Sequence, residues 1–584
     1  MKHIFPLLLL AIIAYLSSCA NQGSPSGGPR DTIPPTFLSA NPPHKSLNYK
    51  KREFEFEFDE RINADQLRTK MNITPFTENR FKVLVKKNIL NIVFDDYFED
   101  STTYTFNFAD GVGDITEKNP VINFTYAFST GPIIDSIYVN GTVRDLYNNE
   151  QLKEILIALY SIEDSLNLFT GKPRYFTQTD EEGHFQIENI KTGKYRLYAY
   201  EDQDKNLKNN PQKEKHGFIA DTLDLYTSKD SLSLTVQLID ASEPKFVRAK
   251  NTGQYFDVLY NKYMESYDIR TIDTMRTRSI PAHSFFKENT IIRFYPDGSM
   301  PIEKDSLQVQ INSTDSLGNH LTDTVFVQFK SSKRKPETFN FSYTPDTKFK
   351  IQNSIKFKLN FSKPIAHTNY DSITIAYDTL QSLTIVDSIA TWNINKTILT
   401  FETNLDKNYI PNQMLLLEQE LLLEDSIARA NQDPNDTTLA TIPPVQFSPL
   451  PNQILFKIKP AAFISIDQDT SEVSERKYEF LKPENTGQIS GEIETTIPNF
   501  SLQLVDPKFN VIAQVRNETQ FKFTYVPPGK YTFRMLVDSN NDGKWNPGNI
   551  LKNIEPEPTV FYPETMDLKA GWEIELFKTN KLVF

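Results

Sequence analysis

The stretch REFEFEFDERI (residues 52–62) alternates without a break, with Phe54, Phe56 and Phe58 on one side and Glu53, Glu55 and Glu57 on the other. A period of two with one aromatic face specifies a strand that turns one face to a core and the other to water. The glutamates also oppose edge-to-edge pairing between chains, and their strict alternation marks a solvated face, not a metal cluster. The pattern returns in FKLNFSKPI (357–365), where Phe357, Leu359, Phe361 and Ile365 take the places of Phe54, Phe56, Phe58 and Ile62. It returns again in FDVLYNKY (256–263), through Phe256, Val258 and Tyr260. Each copy is followed by a second strand, NILNIVF (88–94), NTIIRFY (289–295) or KTILTFE (396–402). Further strands close the units: TYTFNF and FTYAFSTG, SLQVQI and TVFVQF, and RKYEFLKP (476–483). Units of about a hundred residues built from short strands predict sandwiches in series.

A second repeat fills the gaps. GHFQIENIKTGKYRLYAYEDQDKN (183–206) aligns with TQFKFTYVPPGKYTFRMLVDSNND (519–542), each preceded by a Gly-led strand, NGTVRD (140–145) or SGEIET (490–495). The 584 residues include 42 Phe, 26 Tyr and 35 Pro but only 20 Gly, a balance that favours strands broken by turns. A net charge of −12 without a basic face argues against nucleic acid as a partner.

The start of the chain, MKHIFPLLLLAIIAYLS, carries a short polar opening and an apolar run from Ile4 to Leu16. That run is too short for a stable membrane span and reads as a secretory signal, residues 1–18. Leu16-Ser17-Ser18-Cys19 resembles a bacterial lipobox, and the resemblance implies lipidation of Cys19, the only cysteine in the chain. Several acyl chains, at about 0.8 kcal/mol per buried CH₂, anchor a protein durably. The alternative is an ordinary signal peptide with a chance cysteine. Residues 19–31 and the prolines beyond form a tether, ANQGSPSGGPRDTIPP. Some thirteen extended residues reach roughly 45 Å.

DTIPPTFLSANPPHKS, FEFEFDERI, FADGVGDI and FTYAFSTGP together resemble a bacterial Ig-like domain, with Arg61 where the family usually has Pro. The likeness covers 32–132 well and weakens over 244–331 and 338–483. The Gly-Lys-Tyr repeats resemble the transthyretin-like sandwich of carboxypeptidase regulatory domains. The whole is similar to Ig-like-domain lipoproteins of Bacteroidota, which implies outer-membrane attachment and no catalytic residues. The expected fold is therefore all-β, a tandem array of Ig-like and transthyretin-like sandwiches behind a signal peptide and lipid tether. Its expected domains are 32–132 (Ig-like), 133–242 (transthyretin-like), 243–335 (Ig-like), 336–485 (Ig-like, with an insertion at about 411–445) and 486–584 (transthyretin-like). Within the insertion, residues 411–436 read as an amphipathic helix or as strand plus loop; buried against its own domain or exposed, a helix would carry a leucine face.

Seven scattered histidines show no metal-ligand spacing, and no nucleophile elbow or phosphate loop appears. The chain reads as a non-enzyme. Its sharpest site signal is DSNNDGKWNPGN (538–549), which places Asp538, Asn540 and Asp542 at positions 1, 3 and 5 of a calcium loop. Gly543 stands at position 6, and the Lys544 carbonyl is the expected ligand at position 7. Asn549 stands at position 12 in place of the usual bidentate Glu, so Glu555 or Glu557 would have to fold back. The competing reading is a metal-free polar hairpin of Asx turns. The sister loop keeps Asp202, Asp204 and Asn206 but has Leu207 where Gly belongs, with Lys205, Lys208 and Lys213 nearby. Calcium is thus the one cofactor suggested. The expected role is a lipid-anchored envelope scaffold partnered by an outer-membrane or surface protein, with a surface glycan-binding lipoprotein as the alternative. Whether the body faces the periplasm or the outside stays open.

Overall fold

In a computed structural model, residues 31–121, 124–272, 279–302, 305–352, 354–376, 382–405, 419–424, 426–427, 453–577 and 581–584 are described. Cys19 and its signal lie outside them. The chain is an all-β array of sandwiches, and among the described residues it has five separate hydrophobic cores. Contacts divide it into two compact units, one holding the first two cores and the other the remaining three. Among the described residues no helix is long and apolar enough to cross a membrane.

In the first core, strand Glu53–Phe58 lies between Phe37–Asn41 and Ile89–Phe94, with Phe81–Lys86 at the edge. A second sheet, Asn72–Thr74, Thr103–Asn107 and Thr125–Ser129, closes over it. Phe54, Phe56 and Phe58 are fully buried, and they meet the facing sheet edge-on, Phe54 to Phe106 and Phe56 to Tyr126 at 5.0 Å between ring centres. That geometry suits the ring quadrupoles. The same strand order recurs in the third core, Phe246–Thr252, Tyr255–Tyr260, Ile291–Phe294, His283–Phe286, and in the fourth, Phe341–Thr344, Ser354–Phe361, Ile398–Asn404, Ala390–Trp392. Phe256, Val258 and Tyr260, like Phe357, Leu359 and Phe361, are buried in the register that alternation predicts.

The position just past this aromatic triad carries a charge in all three copies. Lys262 is buried and lies 2.9 Å from Asp315, and its ammonium also donates to the carbonyls of Asp240 and Ser242. Lys363 is buried 2.8 Å from Asp467. Three acceptors around Lys262 fulfil its donor capacity, without which burial would be costly. The first copy has Glu60 here, whose carboxyl is pushed up by partial burial and by Asp59 and Asp114.

The second and fifth cores share a different topology. Strand Ile137–Asp145 pairs antiparallel with His184–Ile190 and parallel with Lys229–Val236; Gly487–Glu494 pairs likewise with Gln520–Val526 and Glu573–Leu576. The opposite sheets order Tyr175–Gln178, Leu156–Ser161, Gly193–Tyr200, His216–Phe218 and Val511–Arg516, Phe500–Val505, Gly529–Val537, Thr559–Phe561. The leading glycine of each repeat has a steric reason. A Cβ on Gly141 would sit 2.0 Å from the Leu232 carbonyl oxygen, and one on Gly491 would sit 2.8 Å from Leu576. Of the insertion in the fourth unit, the described residues 419–424 and 426–427 are helical, and Leu422, Leu423 and Ile427 are exposed there.

Candidate functional site

Strand Gly529–Val537 ends at the acidic loop. Asp538 receives the N–H groups of Asp542 at 3.1 Å and Gly543 at 2.9 Å, one on each carboxylate oxygen. Asn540 Oδ1 also accepts from Asp542 N–H, and Asp542 Oδ1 from Lys544 N–H, both at 2.9 Å. The Asn540 and Asn546 amides donate to the other Asp542 oxygen at 3.3 and 3.0 Å. The Asn546 bond, with the Lys544 N–H, holds the Asp542 carboxyl below its ordinary range. Gly543 adopts φ +81°, the left-handed conformation that the sharp turn requires. Asp538, Asn540 and Asp542 are therefore brought together as the spacing predicts, with Lys544 beside them. Their oxygens are engaged by backbone N–H groups, although a carboxylate oxygen has lone-pair capacity for more than one partner.

The fold-back carboxylate is Glu557. It is buried, and it receives Ser539 N–H at 2.7 Å and Asn540 N–H at 3.2 Å on one oxygen and Asn546 N–H at 2.8 Å on the other. Trp545 Nε1 donates to its carbonyl. Glu555 is exposed. Asn549 does not serve the loop. Its Oδ1 accepts from Leu551 and Lys552 N–H, and its amide donates to Leu317 O at 2.9 Å and Asn319 Oδ1 at 2.8 Å. Arg516 also donates to the Gly543 carbonyl at 3.1 Å, bringing a cationic group to the turn.

The sister loop has the same construction. Asp202 receives Asn206 and Leu207 N–H at 2.9 and 3.0 Å, and Asn206 Oδ1 receives Lys208 N–H at 2.7 Å. Buried Glu214 receives Gln203 N–H at 2.8 Å and Asn210 N–H at 2.6 Å, in the places that Glu557 gives Ser539 and Asn546. Burial pushes the Asp202 carboxyl up. The Glu214 clamp was missed from sequence because it stands twelve residues after the first Asp of its loop, whereas Glu557 stands nineteen after. A buried Glu just before the next strand is the only common signal. Elsewhere, Asp180, Glu182 and His184 bring ligand-type atoms within 4.8 Å of one another, but all three are exposed on one tight turn between the two sheets.

Residues 31–130 match the bacterial Ig-like domain family, and residues 158–207 match polysaccharide lyase family 4, domain II. No curated protein matches the sequence. Among solved structures, the S-layer protein rSbsC(31-844) is similar at 10% identity over 92% of this chain and 68% of its own, with a TM-score of 0.16. The N-terminal part of the bacterial S-layer protein SbsC aligns at 14% identity over 29% of this chain, which spans 40% of that fragment, with a TM-score of 0.14. BcpA, the major pilin subunit of Bacillus cereus, aligns at 9% identity over 76% of this chain and 99% of its own, with a TM-score of 0.12. The chain is thus a multi-domain all-β protein whose first sandwich is similar to bacterial Ig-like domains.

Proposed function

We propose that this protein is a non-catalytic scaffold or interaction protein of the cell envelope, anchored in the outer membrane by lipid on Cys19. Its partner on this reading is an outer-membrane or surface protein complex. The observation that carries the reading is the order of parts: the lone cysteine in Leu16-Ser17-Ser18-Cys19, a tether without apolar pattern, then sandwich after sandwich. Such an array offers loops and sheet faces within the tether's reach of a membrane, and the anchor supplies the localisation. The Gly-Lys-Tyr modules are, on the same reading, transthyretin-like spacers. A palmitate analogue should label the wild type but not Cys19→Ala, and the variant should leave the membrane fraction. Equal labelling of both would remove the anchor. Protease shaving of intact cells then decides which way the body faces, and a native pulldown in detergent should recover a stoichiometric membrane protein.

The match of residues 158–207 to a polysaccharide lyase domain favours one further reading, a surface glycan-binding lipoprotein. Sugar sites use open aromatic faces. Trp392 donates to Tyr370 and packs on Phe361, and Trp545 is tied to the Glu557 carbonyl. Trp572 is 52% exposed, with the Lys569 ammonium 4.8 Å from its ring centre. Retention on an oligosaccharide affinity gel, lost in Trp572→Ala, would support this reading over the first.

A further inference from the structure

The outer face of the first sheet carries its charges in an order that the other Ig-like copies do not share. Pairing sets Glu53, Glu55 and Glu57 beside Val93, Asn91 and Ile89, which in turn stand beside Lys82, Leu84 and Lys86. These side chains point away from the buried phenylalanines, because residues directly across a sheet share a face. The glutamates, both lysines and Leu84 are exposed, and Val93, Asn91 and Ile89 are half-buried. One border of the face is thus anionic, the other cationic, and the strand between them uncharged. Among the described residues, Glu53, Glu55, Lys82 and Lys86 form no ion pair.

The third and fourth copies answer their charges on the neighbouring strand. Asp257, in the place of Glu55, accepts two bonds from Arg293, in the place of Asn91, at 2.7 and 2.9 Å. Arg293 also meets Glu337 at 3.0 Å, so this pair is buried and satisfied within its own chain. In the fourth copy Lys356 stands directly across from Glu402. In the first copy the complementary charge lies two strands away. A face with opposite charges on its two borders is complementary to itself. Turned over about an axis along its middle strand, each anionic border meets a cationic one. A two-fold axis across the strands would instead set glutamates against glutamates.

We propose that this face binds a second copy of the chain, sheet against sheet, about a two-fold axis running along strand Ile89–Phe94. Aligned sheets pack about 10 Å apart, a gap that lysine and glutamate side chains span from opposite sides. Glu53 then faces Lys82 of the second copy and Glu57 faces its Lys86, each contact occurring twice by symmetry. Val93 and Ile89 supply an apolar centre. The alternating glutamates that oppose pairing at a sheet edge leave this stacking of faces open. The face is small, so the association is weak and reversible. It does not depend on the lipid anchor or on calcium.

The test uses residues 20–584, which keep every module and lack Cys19. Sedimentation equilibrium at about 0.1 M salt screens repulsion between distant charges of two acidic chains and leaves close contacts effective. A dissociation constant of the order of 100 μM is expected. Glu53→Lys with Glu57→Lys makes both borders cationic, and Lys82→Glu with Lys86→Glu makes both anionic. Each variant alone should associate at least about tenfold more weakly than the parent. An equimolar mixture of the two should recover the parental affinity, which also shows that both variants fold. Asn91→Cys lies on the axis, and a short bismaleimide should link it to its counterpart in the parent but in neither charge variant. Association that both pairs of substitutions leave unchanged would place the contact on another surface, such as the edge strand Phe81–Lys86, and overturn the proposal. A parent that stays monomeric at about 500 μM, fivefold above the expected constant, or a mixture that fails to associate would do the same.

Discussion

The second and fifth modules are two solutions to one problem, how to hold a sharp acidic loop at the end of a strand. Both close the loop with a buried glutamate, Glu214 or Glu557, that gathers backbone N–H groups from either side. They differ at the turn itself. Gly543 takes the left-handed conformation without strain, whereas Leu207 is held in it at φ +61°. The same hydrogen bonds form in both loops, so the glycine eases the turn but does not create it. The clamp does. A comparison of the copies separates what shapes the loop from what decorates it.

The clamp should give the largest effect. Glu557→Ala takes from the Ser539, Asn540 and Asn546 N–H groups the buried carboxylate they now meet, and the fifth module should lose about 4 kcal/mol. Glu214→Ala should do much the same to the second module. Chemical denaturation of the full chain, following each module's transition, checks both. A loss below about 1 kcal/mol in either would mean the loop is held by its Asx turns alone.

The second contrast concerns acid. His216 opens strand His216–Phe218 and is buried with Nδ1 unpartnered; burial lowers its pKa from 6.5 to about 4. The corresponding residue in the fifth module is Thr559. Between pH 6.5 and 4 the unfolded imidazole binds its proton and the folded one does not, so the unfolded state holds more protons. Stability is therefore complete above pH 6.5 and drains as pH falls, by ~3 kcal/mol at pH 4. Asp202, with its raised carboxyl, acts in the opposite sense at the acid end of that window, where the folded state takes up its proton before the unfolded one as pH falls toward 3.8. The second module should soften in acid before the fifth, and His216→Thr should abolish the difference. Parallel melting of both modules from pH 7 to 4 would refute it.

The array was legible in the sequence because alternation is a direct statement about which side chains share a face. Phe54, Phe56 and Phe58 had one possible use, and their counterparts at 256–260 and 357–361 repeat it. The acidic loop was legible as far as local spacing reaches, from Asp538 to Gly543. Glu214 was not, since the chain between first Asp and clamp differs in length between the copies and no periodicity marks it. Asn549 was legible only as a weak twelfth ligand. Its amide instead reaches Leu317 and Asn319, more than two hundred residues away in sequence. The helix of the insertion emerged from its Leu, Glu and Ala content, while the exposure of Leu422 and Leu423 depended on neighbours that composition does not name.

Exchanging the turn residues gives a smaller effect. Leu207→Gly relieves a left-handed leucine, worth roughly 1–2 kcal/mol, against the added freedom of glycine in the unfolded chain, roughly 0.5–1 kcal/mol. The second module should gain about 0.5–1 kcal/mol, and Gly543→Leu should take about as much from the fifth. If both substitutions are neutral, the left-handed turn is not a point of strain in either module.

Calcium is the finest discriminator between the loops. At the C-terminal loop the expected ligands are Asp538, Asn540, Asp542 and the Lys544 carbonyl, and Glu557 brings a further carboxylate to the same turn. Against binding stand Arg516 at the Gly543 carbonyl, the Lys544 charge, and the loss of Asn549 to another contact. The sister loop replaces Gly543 with Leu207 and has Lys205, Lys208 and Lys213 around it. We expect binding at the C-terminal loop alone, with a dissociation constant near the ~1 mM of weak extracellular modules. At about 2 mM Ca²⁺ such a site stabilises the fifth module by only ~0.6 kcal/mol and leaves the second unmoved. Calorimetry on the full chain checks this, with Asp538→Ala plus Asp542→Ala as the control. Heat that persists in that double variant would place the ion elsewhere, and neither heat nor thermal shift at about 10 mM Ca²⁺, tenfold above that ~1 mM, would leave the loop a metal-free hairpin held by its glutamate.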